Sequence, residues 1–431
     1  MVKDSGSRVW RYGHTPRKLP TLVGMGKSPL ILAALAKDAV PELDFTKVEE
    51  LVTGGSGRDF EVALLTSRTG DHYVLREPKS NAGLAKIAIE LAVSKALNAM
   101  SGLSFKVSSL VGETRDPRVA KAYLFTYVYG QPIDPHSIAP NGNLPTRIGE
   151  VLAEIHSLPT ELVEANGLPQ YSVNEVLKSR VAELDQAVAT GRIPAVLANR
   201  WEKALEDVSI FRFNPTVVHG EMSGEHILSL DDSVESVMSW SSLRVSDPAE
   251  DFAWLMTGTD DDVLYQVMLA YSARRPASDQ NLRVRAMLYS ELLVARWLLH
   301  GQRLGDEGIV EEALDMLDTL VEDIAEGRVP ALSPAEIQAS RAAEPAFEPM
   351  AGNAFLAEAE SPVSTNLFIA ESEAVSSPVF EVSDKTRPIE IIDIDAAERA
   401  EAAESIEAIE LPDYDYEDGS KPAKPASDEL F

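Results

Sequence analysis

The run from residue 216 to residue 255 is the feature that most constrains the fold of this chain. It begins with a short apolar segment, breaks at His219, and continues through a polar loop into two further segments joined by a turn-like 231–233. This pattern predicts strand, loop, strand, turn, strand. A helix is expected to follow Asp247, because aspartate suits a helix cap and Pro248 suits the first helical position.

The polar loop after the first of these strands is a candidate reactive site. Within eight residues it holds four side chains that can exchange protons or bind a metal: His219, Glu221, Glu225 and His226. Scaffolds place binding and catalytic residues on such loops between strands. On composition alone, a solvated acidic turn explains the same four residues equally well.

Composition limits the class of protein. At 431 residues and 45% apolar content, the chain has room for two or three domain-sized units with a sizeable core. The absence of cysteine excludes disulfides, thiolate zinc sites and a cysteine nucleophile. We find no apolar run long enough to span a bilayer, and the basic N-terminus lacks the apolar core of a secretory signal. A soluble cytoplasmic protein without a membrane partner is therefore expected.

The charge is acidic and uneven. A formal net charge of -30 argues against nucleic acid as the main partner, because phosphate binding needs a basic surface. Roughly -17 of this charge lies after residue 330, as in acidic tails that take part in interactions.

The N-terminal part divides into a basic arm and a β-rich region. Residues 1–24 are basic and lack periodicity, so we expect disorder, or alternatively an arm that contacts the acidic tail. A helix is predicted from Ser28 onward, which makes Met25 an alternative to Met1 as the start. Residues 45–80 predict three strands around a glycine-rich loop at 53–60. Such a loop can approach phosphates closely, although a plain hairpin turn is the commoner explanation.

The next segments are a helix at 82–99, a strand from 121 to 128, and helices over 144–212 and 261–328. His156 lies on an apolar helix face, which favours a packed histidine over a catalyst. Four further basic residues lie on amphipathic helices, where surface or helix-end roles are expected. They are Arg283, Arg285, Arg296 and His300.

After residue 329 the chain is rich in Pro, Ala, Ser and Glu and loses periodicity, which predicts a disordered acidic tail. Short apolar islands recur within it, among them Ile389 to Ile394, and residues 395–409 fit a short helix. The islands suit docking to an unknown protein partner; a purely solubilising tail is the alternative.

The order of these elements resembles the aminoglycoside/macrolide phosphotransferase family, whose members have a bilobal, protein-kinase-like α+β fold. The family pattern is His-Gly-Asp, four residues, Asn or His, a hydrophobic pair, a turn, hydrophobic-Asp-Trp, and then Asp-Pro-Ala-x-Asp. This chain has HGEMSGEHIL, then MSW at 238–240 and DPAED at 247–251. The segment MGKSPLILAALA is similar to the start of actinobacterial members, which favours Met25. The implied organisation is a basic extension at 1–27, an N-lobe and hinge at 28–130, a helical C-lobe at 131–329 and the tail at 330–431.

The resemblance implies a nucleotide site for ATP or GTP in the N-lobe. The loop Gly54, Gly55, Ser56, Gly57 corresponds to the family's phosphate loop. Arg76 stands where the family has a Lys or Arg that neutralises phosphate, and Glu90 is its expected ion-pair partner. The hinge that receives the adenine corresponds to residues 123–130, including Tyr127.

The resemblance also implies a catalytic and metal site in the C-lobe. Glu221 corresponds to the acid that accepts the proton of the substrate hydroxyl, in the loop that His219 opens. His226 corresponds to a metal ligand, and histidine is the choice of the macrolide branch. Ser239 stands where the family has the aspartate that holds Mg²⁺ against the nucleotide phosphates.

Two of these positions depart from the family. Glu221 replaces aspartate and is one methylene longer, and a misplacement of about 1 Å can lower a rate by about 10²-fold. Ser239 replaces the metal-binding aspartate with a neutral, weak ligand. The acids nearby in sequence are expected to point into solvent, and Glu225 is the remaining candidate carboxylate. The nearby acids are Asp231, Asp232 and Glu235.

Two functions follow as hypotheses. The first is an impaired phosphotransferase that uses ATP or GTP with Mg²⁺ to phosphorylate a hydroxylated small molecule of macrolide or aminoglycoside type. An acidic C-lobe would suit cationic antibiotics of this kind. The alternative is a catalytically silent pseudokinase that binds nucleotide, or a protein partner through its acidic tail.

Overall fold

An antiparallel sheet forms the first third of the molecule, and helices form most of the rest, so that the predicted α+β class is confirmed. The computed structural model describes residues 27–50, 59–275, 280–332 and 392–393. The predicted basic arm, the glycine-rich loop and most of the acidic tail lie outside these residues.

The N-terminal sheet has the strand order β11-β1-β2-β3-β5-β4. Its strands are β1 (Phe45–Glu50), β2 (Phe60–Ser67), β3 (His72–Pro78), β4 (Leu110–Glu113), β5 (Tyr123–Thr126) and β11 (Ile392–Asp393). The last of these comes from the tail and pairs antiparallel with β1, with Val48 opposite Ile392. At these two residues the tail, which we predicted to be disordered with a segment at 395–409 that fits a short helix, contributes an edge strand.

Two helices cover this sheet: α1 (Pro29–Ala39) and α2 (Asn81–Ala99). The hydroxyl of Ser28 caps α1 as predicted, accepting a hydrogen bond from the Ile31 amide. Leu32 of α1 is buried in a cluster with Leu65 and Leu75 of the sheet. Burial of one face of each helix on the sheet fixes where β3 and α2 meet, and this contact brings Arg76 of β3 next to Glu90 of α2.

The C-lobe has seven α-helices among the described residues. They are α3 (Leu144–Ile155), α4 (Thr160–Ala165), α5 (Val173–Ala189), α6 (Ala195–Glu206), α7 (Asp261–Arg274), α8 (Leu282–Leu304) and α9 (Glu307–Ala325). The longest, α8, packs against α5, α6 and α9, while α3 packs against α7. Where α3 crosses α7, a Cβ at Gly149 would lie 2.2 Å from the Val267 carbonyl oxygen, so only glycine permits this close approach. Among the described residues, no helix is both long and apolar enough to cross a bilayer.

The run from 216 to 255 forms two small sheets. Their strands are β6 (Gln131–Pro132), β7 (Thr216–Val218), β8 (Ile227–Leu230), β9 (Ser233–Val237) and β10 (Arg244–Ser246). The β7, β8 and β9 strands match the prediction, and Asp231 and Asp232 turn the β8–β9 hairpin with positive φ of 50° and 57°. Two details differ: β10 pairs with β7, and the helix after Asp247, Pro248–Leu255, is a 3-10 helix.

Arg285 is wholly buried, so the expectation of a surface or helix-end role was wrong for this residue. Its Nε lies 2.6 Å and its Nη2 2.9 Å from the two carboxylate oxygens of Asp247. The Tyr289 hydroxyl donates to the same carboxylate at 2.7 Å. The expectation failed because α8 is surrounded on several sides, and a buried cation is tolerated there only with a paired carboxylate.

Candidate functional site

One buried carboxylate, Asp251, organises the loop between β7 and β8. It accepts hydrogen bonds from the backbone N–H groups of His219 at 2.7 Å and Gly220 at 2.8 Å. His156 Nε2 lies 3.1 Å from the same carboxylate, and His156 Nδ1 lies 2.9 Å from the Tyr271 hydroxyl. Burial opposes ionisation of Asp251, but the bonds from His156 and Gly220 hold its pKa below the usual value. His156 is thus a packed histidine that supports the loop through its contact with the Asp251 carboxylate.

Arg244 holds the same loop from the other side. Its Nη2 donates to the Gly220 carbonyl at 2.9 Å and to the Glu250 carboxylate at 2.6 Å. Gly220 has φ of +87°, and a Cβ there would lie 2.4 Å from the Ser242 backbone carbonyl oxygen. Glycine is therefore required at 220 by both backbone conformation and space.

His219, the first residue of the loop, is wholly buried. Its Nε2 lies 2.8 Å from the Met238 carbonyl oxygen, and its ring lies edge-on to Trp240 at 5.0 Å between centroids. Burial lowers the pKa of His219 to about 4, so the ring is neutral at pH 7. In this position the ring connects the loop to the segment that carries Ser239.

The stability of the protein should fall on acidification because of His219. The unfolded chain binds a proton at this residue near pH 6.5, whereas the folded chain does so near pH 4. The contribution of His219 to the free energy of unfolding is therefore complete above pH 6.5. It is lost as the pH falls from 6.5 through 4, by about 3 kcal/mol in all. Urea unfolding at several pH values should show a shallower dependence for His219→Gln than for the native chain. The control variant His300→Asn should keep the pH dependence of the native chain. An equal dependence of stability on pH in His219→Gln and in the native chain would contradict this assignment.

The two candidate reactive side chains of the loop are more accessible. Glu221 is exposed and His226 is half-buried. His226 Nδ1 lies 2.7 Å from the backbone oxygen of Glu221. A carbonyl can only accept, so Nδ1 carries a proton; in the neutral ring the lone pair is then on Nε2, and this is the tautomer that metal binding requires.

Ser239 lies at the end of β9 in the left-handed region, with φ 65° and ψ 50°. Residues other than glycine are uncommon there, and asparagine and aspartate are tolerated better than serine. The backbone at 239 thus keeps a conformation that suits the aspartate expected from the family pattern, while the side chain present is a neutral hydroxyl.

The residues present do not fit Mg²⁺. Within the part of the chain that the structure describes, no three His, Asp or Glu side chains are grouped as metal ligands. Two of the nearby acids are bound elsewhere: Asp232 accepts from the Asn143 amide at the start of α3, and Glu235 pairs with Lys106. An imidazole and a serine hydroxyl do not replace the carboxylate oxygens that Mg²⁺ prefers.

In the N-lobe, the predicted partners Arg76 and Glu90 are joined. Arg76 Nη1 lies 2.7 Å from Glu90 Oε2, and Glu90 is buried on α2. The guanidinium also lies 4.4 Å from the centroid of the Phe60 ring and 5.8 Å from that of Phe125. These contacts fix the direction of Arg76. The loop Gly54 to Gly57 lies outside the described residues.

In the segment that follows β5, where the hinge was expected, three aromatic rings meet. The rings of Tyr127 and Tyr129 are 5.0 Å apart, and His72 lies 5.8 Å from Tyr127. The Tyr127 amide donates to the His72 carbonyl, and Gly130 follows with φ of +128°. Burial raises the pKa of Tyr127, which therefore stays protonated at neutral pH.

Sequence reasoning did not assign the supporting roles of Arg244 and His72. Neither belongs to the quoted motif, and their positions depend on pairing between distant strands. The sequence showed Asp251 as the last residue of DPAED. The structure shows which groups its carboxylate binds, the amides of His219 and Gly220 and the ring of His156.

The chain is similar in sequence to a known protein family and to one bacterial protein. Residues 50–284 match the phosphotransferase enzyme family (APH). The chain is also 21% identical over 217 residues to the uncharacterized protein YcbJ of Bacillus subtilis (strain 168), which is 47% of this chain and 68% of that protein.

The fold is similar to that of two solved structures. One is the apoenzyme of macrolide 2'-phosphotransferase MphH from Brachybacterium faecium, with a TM-score of 0.56, 22% identity and coverage of 67% of this chain and 96% of that one. The other is the GDP and kanamycin complex of APH(2")-IIIa, with a TM-score of 0.55, 21% identity and coverage of 68% and 98%. At such identities the likeness establishes the fold, and it confirms the kinase-like α+β architecture predicted from the sequence.

Proposed function

The chain belongs to the phosphotransferase enzyme family, and on that premise we propose that it binds ATP or GTP and transfers phosphate to a hydroxylated small molecule at a strongly reduced rate. One observation carries the proposal. Asp251 holds the loop of His219 and Gly220 in place, while the metal-binding position has Ser239 in a backbone conformation suited to aspartate.

The roles proposed for individual residues follow from their placement. Arg76, fixed by Glu90 and Phe60, would neutralise nucleotide phosphate, and the hinge around Tyr127 would receive the base. Glu221, exposed in the loop that follows β7, would accept the proton of the acceptor hydroxyl. The GDP and kanamycin complex of APH(2")-IIIa supports a nucleotide and an antibiotic-like acceptor as the substrate class.

The second candidate function is that of a silent nucleotide-binding protein, and Ser239 favours it. Phosphoryl transfer depends mainly on charge stabilisation of the transferring group, and a neutral hydroxyl contributes little to it. Mass spectrometry of kanamycin or a macrolide incubated with the protein and ATP or GTP separates the two candidates. A phosphorylated product that disappears with Glu221→Gln supports the enzyme, and no product supports the silent protein.

Nucleotide binding itself should be independent of Mg²⁺. In a thermal-shift titration, ATP or GTP at about 100 times its Kd should stabilise the protein by about 2.7 kcal/mol. Adding Mg²⁺ should leave this gain unchanged, because the described residues provide no carboxylate set for the metal.

The matching variants are Arg76→Ala, which should lose most of the nucleotide effect, and Arg118→Ala as control. Arg118 is exposed and pairs with Asp116 in the connection between β4 and β5. The absence of a shift with any nucleotide would refute binding. A gain that requires Mg²⁺ would show that the metal site is intact.

A further inference from the structure

A cleft of about 620 Å³ lies between α5 and α8 on the helical lobe. Its charged lining residues are Arg180, Glu183, Arg296 and Arg303, and Gln186 lies beside them. We refer to it as the arginine cleft. Three arginines and one acid line the cleft, and a second acid outside the lining, Glu250, also pairs with Arg180. The lining itself has more positive than negative side chains, and clefts concentrate the field of the charges that line them.

The single acid of the cleft is already neutralised. Arg296 binds the Glu183 carboxylate with two hydrogen bonds, from Nε to Oε1 at 2.6 Å and from Nη2 to Oε2 at 2.9 Å. Arg180 adds a contact from Nη1 at 3.1 Å. Although burial opposes ionisation, these cations hold the pKa of Glu183 below its usual value. The positive charge that remains includes that of Arg303. This side chain is exposed at the rim of the cleft and is available to an anion.

The arginine cleft is a built site because its inner wall is buried and held in position. Arg180 is 9% exposed, and its Nε has no hydrogen-bond partner within the described residues. Its Nη2 binds Glu250 at 2.8 Å, and Glu250 binds Arg244, which donates to the Gly220 carbonyl. The back of the cleft is thus connected by three polar contacts to the loop that carries Glu221.

We propose that the arginine cleft binds the acidic segment Asp413–Asp418 of the chain's own tail. This segment, DYDYED, has four carboxylates in six residues and is the densest run of acid after residue 332. Arginine pairs with carboxylates through two parallel hydrogen bonds and stacks on tyrosine rings, so both residue types of the segment suit the lining.

The course of the chain supports this occupant. Leu332, the last residue of the helical lobe, is buried, and just before it the Pro330 carbonyl accepts from Arg200. The same guanidinium binds Glu291 of α8, so the tail leaves the lobe beside the helix that forms one wall of the cleft. A tethered segment reaches an effective concentration in the millimolar range, which suits a site made of surface ion pairs.

The absence of cysteine in the chain permits a direct test on the full-length protein. Gln186→Cys in the cleft and Ser420→Cys beside the acidic segment would carry spin labels for pulsed electron paramagnetic resonance. An undocked tail of this length should give a broad distribution near 50 Å. Docking should give a narrow distance of less than half that value. It should broaden in about 1 M salt, where the Debye length is about 3 Å.

Charge-matched variants decide whether the arginine cleft is the site. Arg296→Ala with Arg303→Ala should restore the broad distribution, as should neutralising the four acids of the segment. Arg274→Ala with Arg283→Ala removes the same charge elsewhere and should leave the short distance unchanged. A broad distribution in the unmodified background, or a short one that the cleft variants do not alter, would overturn the proposal. A short distance between separately labelled molecules would assign the cleft to a second copy's tail and overturn it equally.

Discussion

Replacing Ser239 with aspartate is expected to create a Mg²⁺ response that the native chain lacks. A carboxylate supplies the hard oxygen that Mg²⁺ prefers, and electrostatic stabilisers of this kind are worth about 10²-fold or more in rate. The left-handed backbone at 239, with φ 65°, accommodates aspartate without rearrangement. Nucleotide hydrolysis or transfer should rise by about that factor, and nucleotide affinity should become dependent on Mg²⁺.

The control is Ser239→Asn, which keeps the shape and the backbone preference of aspartate and adds no charge. Its activity should remain at the native level. Adding Glu221→Gln to the aspartate variant should remove the gained transfer, because the proposed proton acceptor is lost. Equal effects of asparagine and aspartate would show that backbone strain, not the metal ligand, limits the native protein. No gain with aspartate would point to Glu221 or another position as a further defect.

The helices were predictable from sequence because their periodicity and caps are local. Residues 173–189 form α5 with a capping box between Ser172 and Glu175, inside the region 144–212 that was predicted to be helical. Three strands of the 216–255 run, β7, β8 and β9, were equally visible, since each is bounded by turn residues. Their local signals agree with the packing of the final fold.

What sequence reasoning missed depends on contacts between distant residues. The β10 strand has three residues and pairs with β7 nearly thirty positions earlier, so no local pattern announces it. Arg285 looked like a surface residue because its partner, Asp247, is brought to it only by folding. The tail strand β11 lies beyond any local prediction for the same reason.

The reactive residues of the candidate site were predictable from the sequence, whereas the hydrogen bonds that hold them in place were less so. The positions of Glu221, His226 and Ser239 follow from the family pattern, and so does the pairing expected of Arg76 with Glu90. Their proposed roles remain predictions. The geometry of the loop, by contrast, depends on buried hydrogen bonds that composition does not reveal.

The strongest of those supports is Asp251, and Asp251→Ala should destabilise the folded protein by about 3–5 kcal/mol at pH 7. The substitution leaves the amides of His219 and Gly220 and the ring of His156 without their shared acceptor in a fully buried site.

Urea unfolding at pH 7 measures the effect, with Asp318→Ala as control, since Asp318 is exposed on α9 and a change there should stay within about 0.5 kcal/mol. Because the pKa of Asp251 is lowered on folding, its contribution is complete above the usual value of 3.8 and is lost as the pH falls through the lower folded value. The stability difference between native protein and variant should therefore narrow in acid. A loss at pH 7 no larger than that of Asp318→Ala would mean that the loop between β7 and β8 holds its shape without this carboxylate.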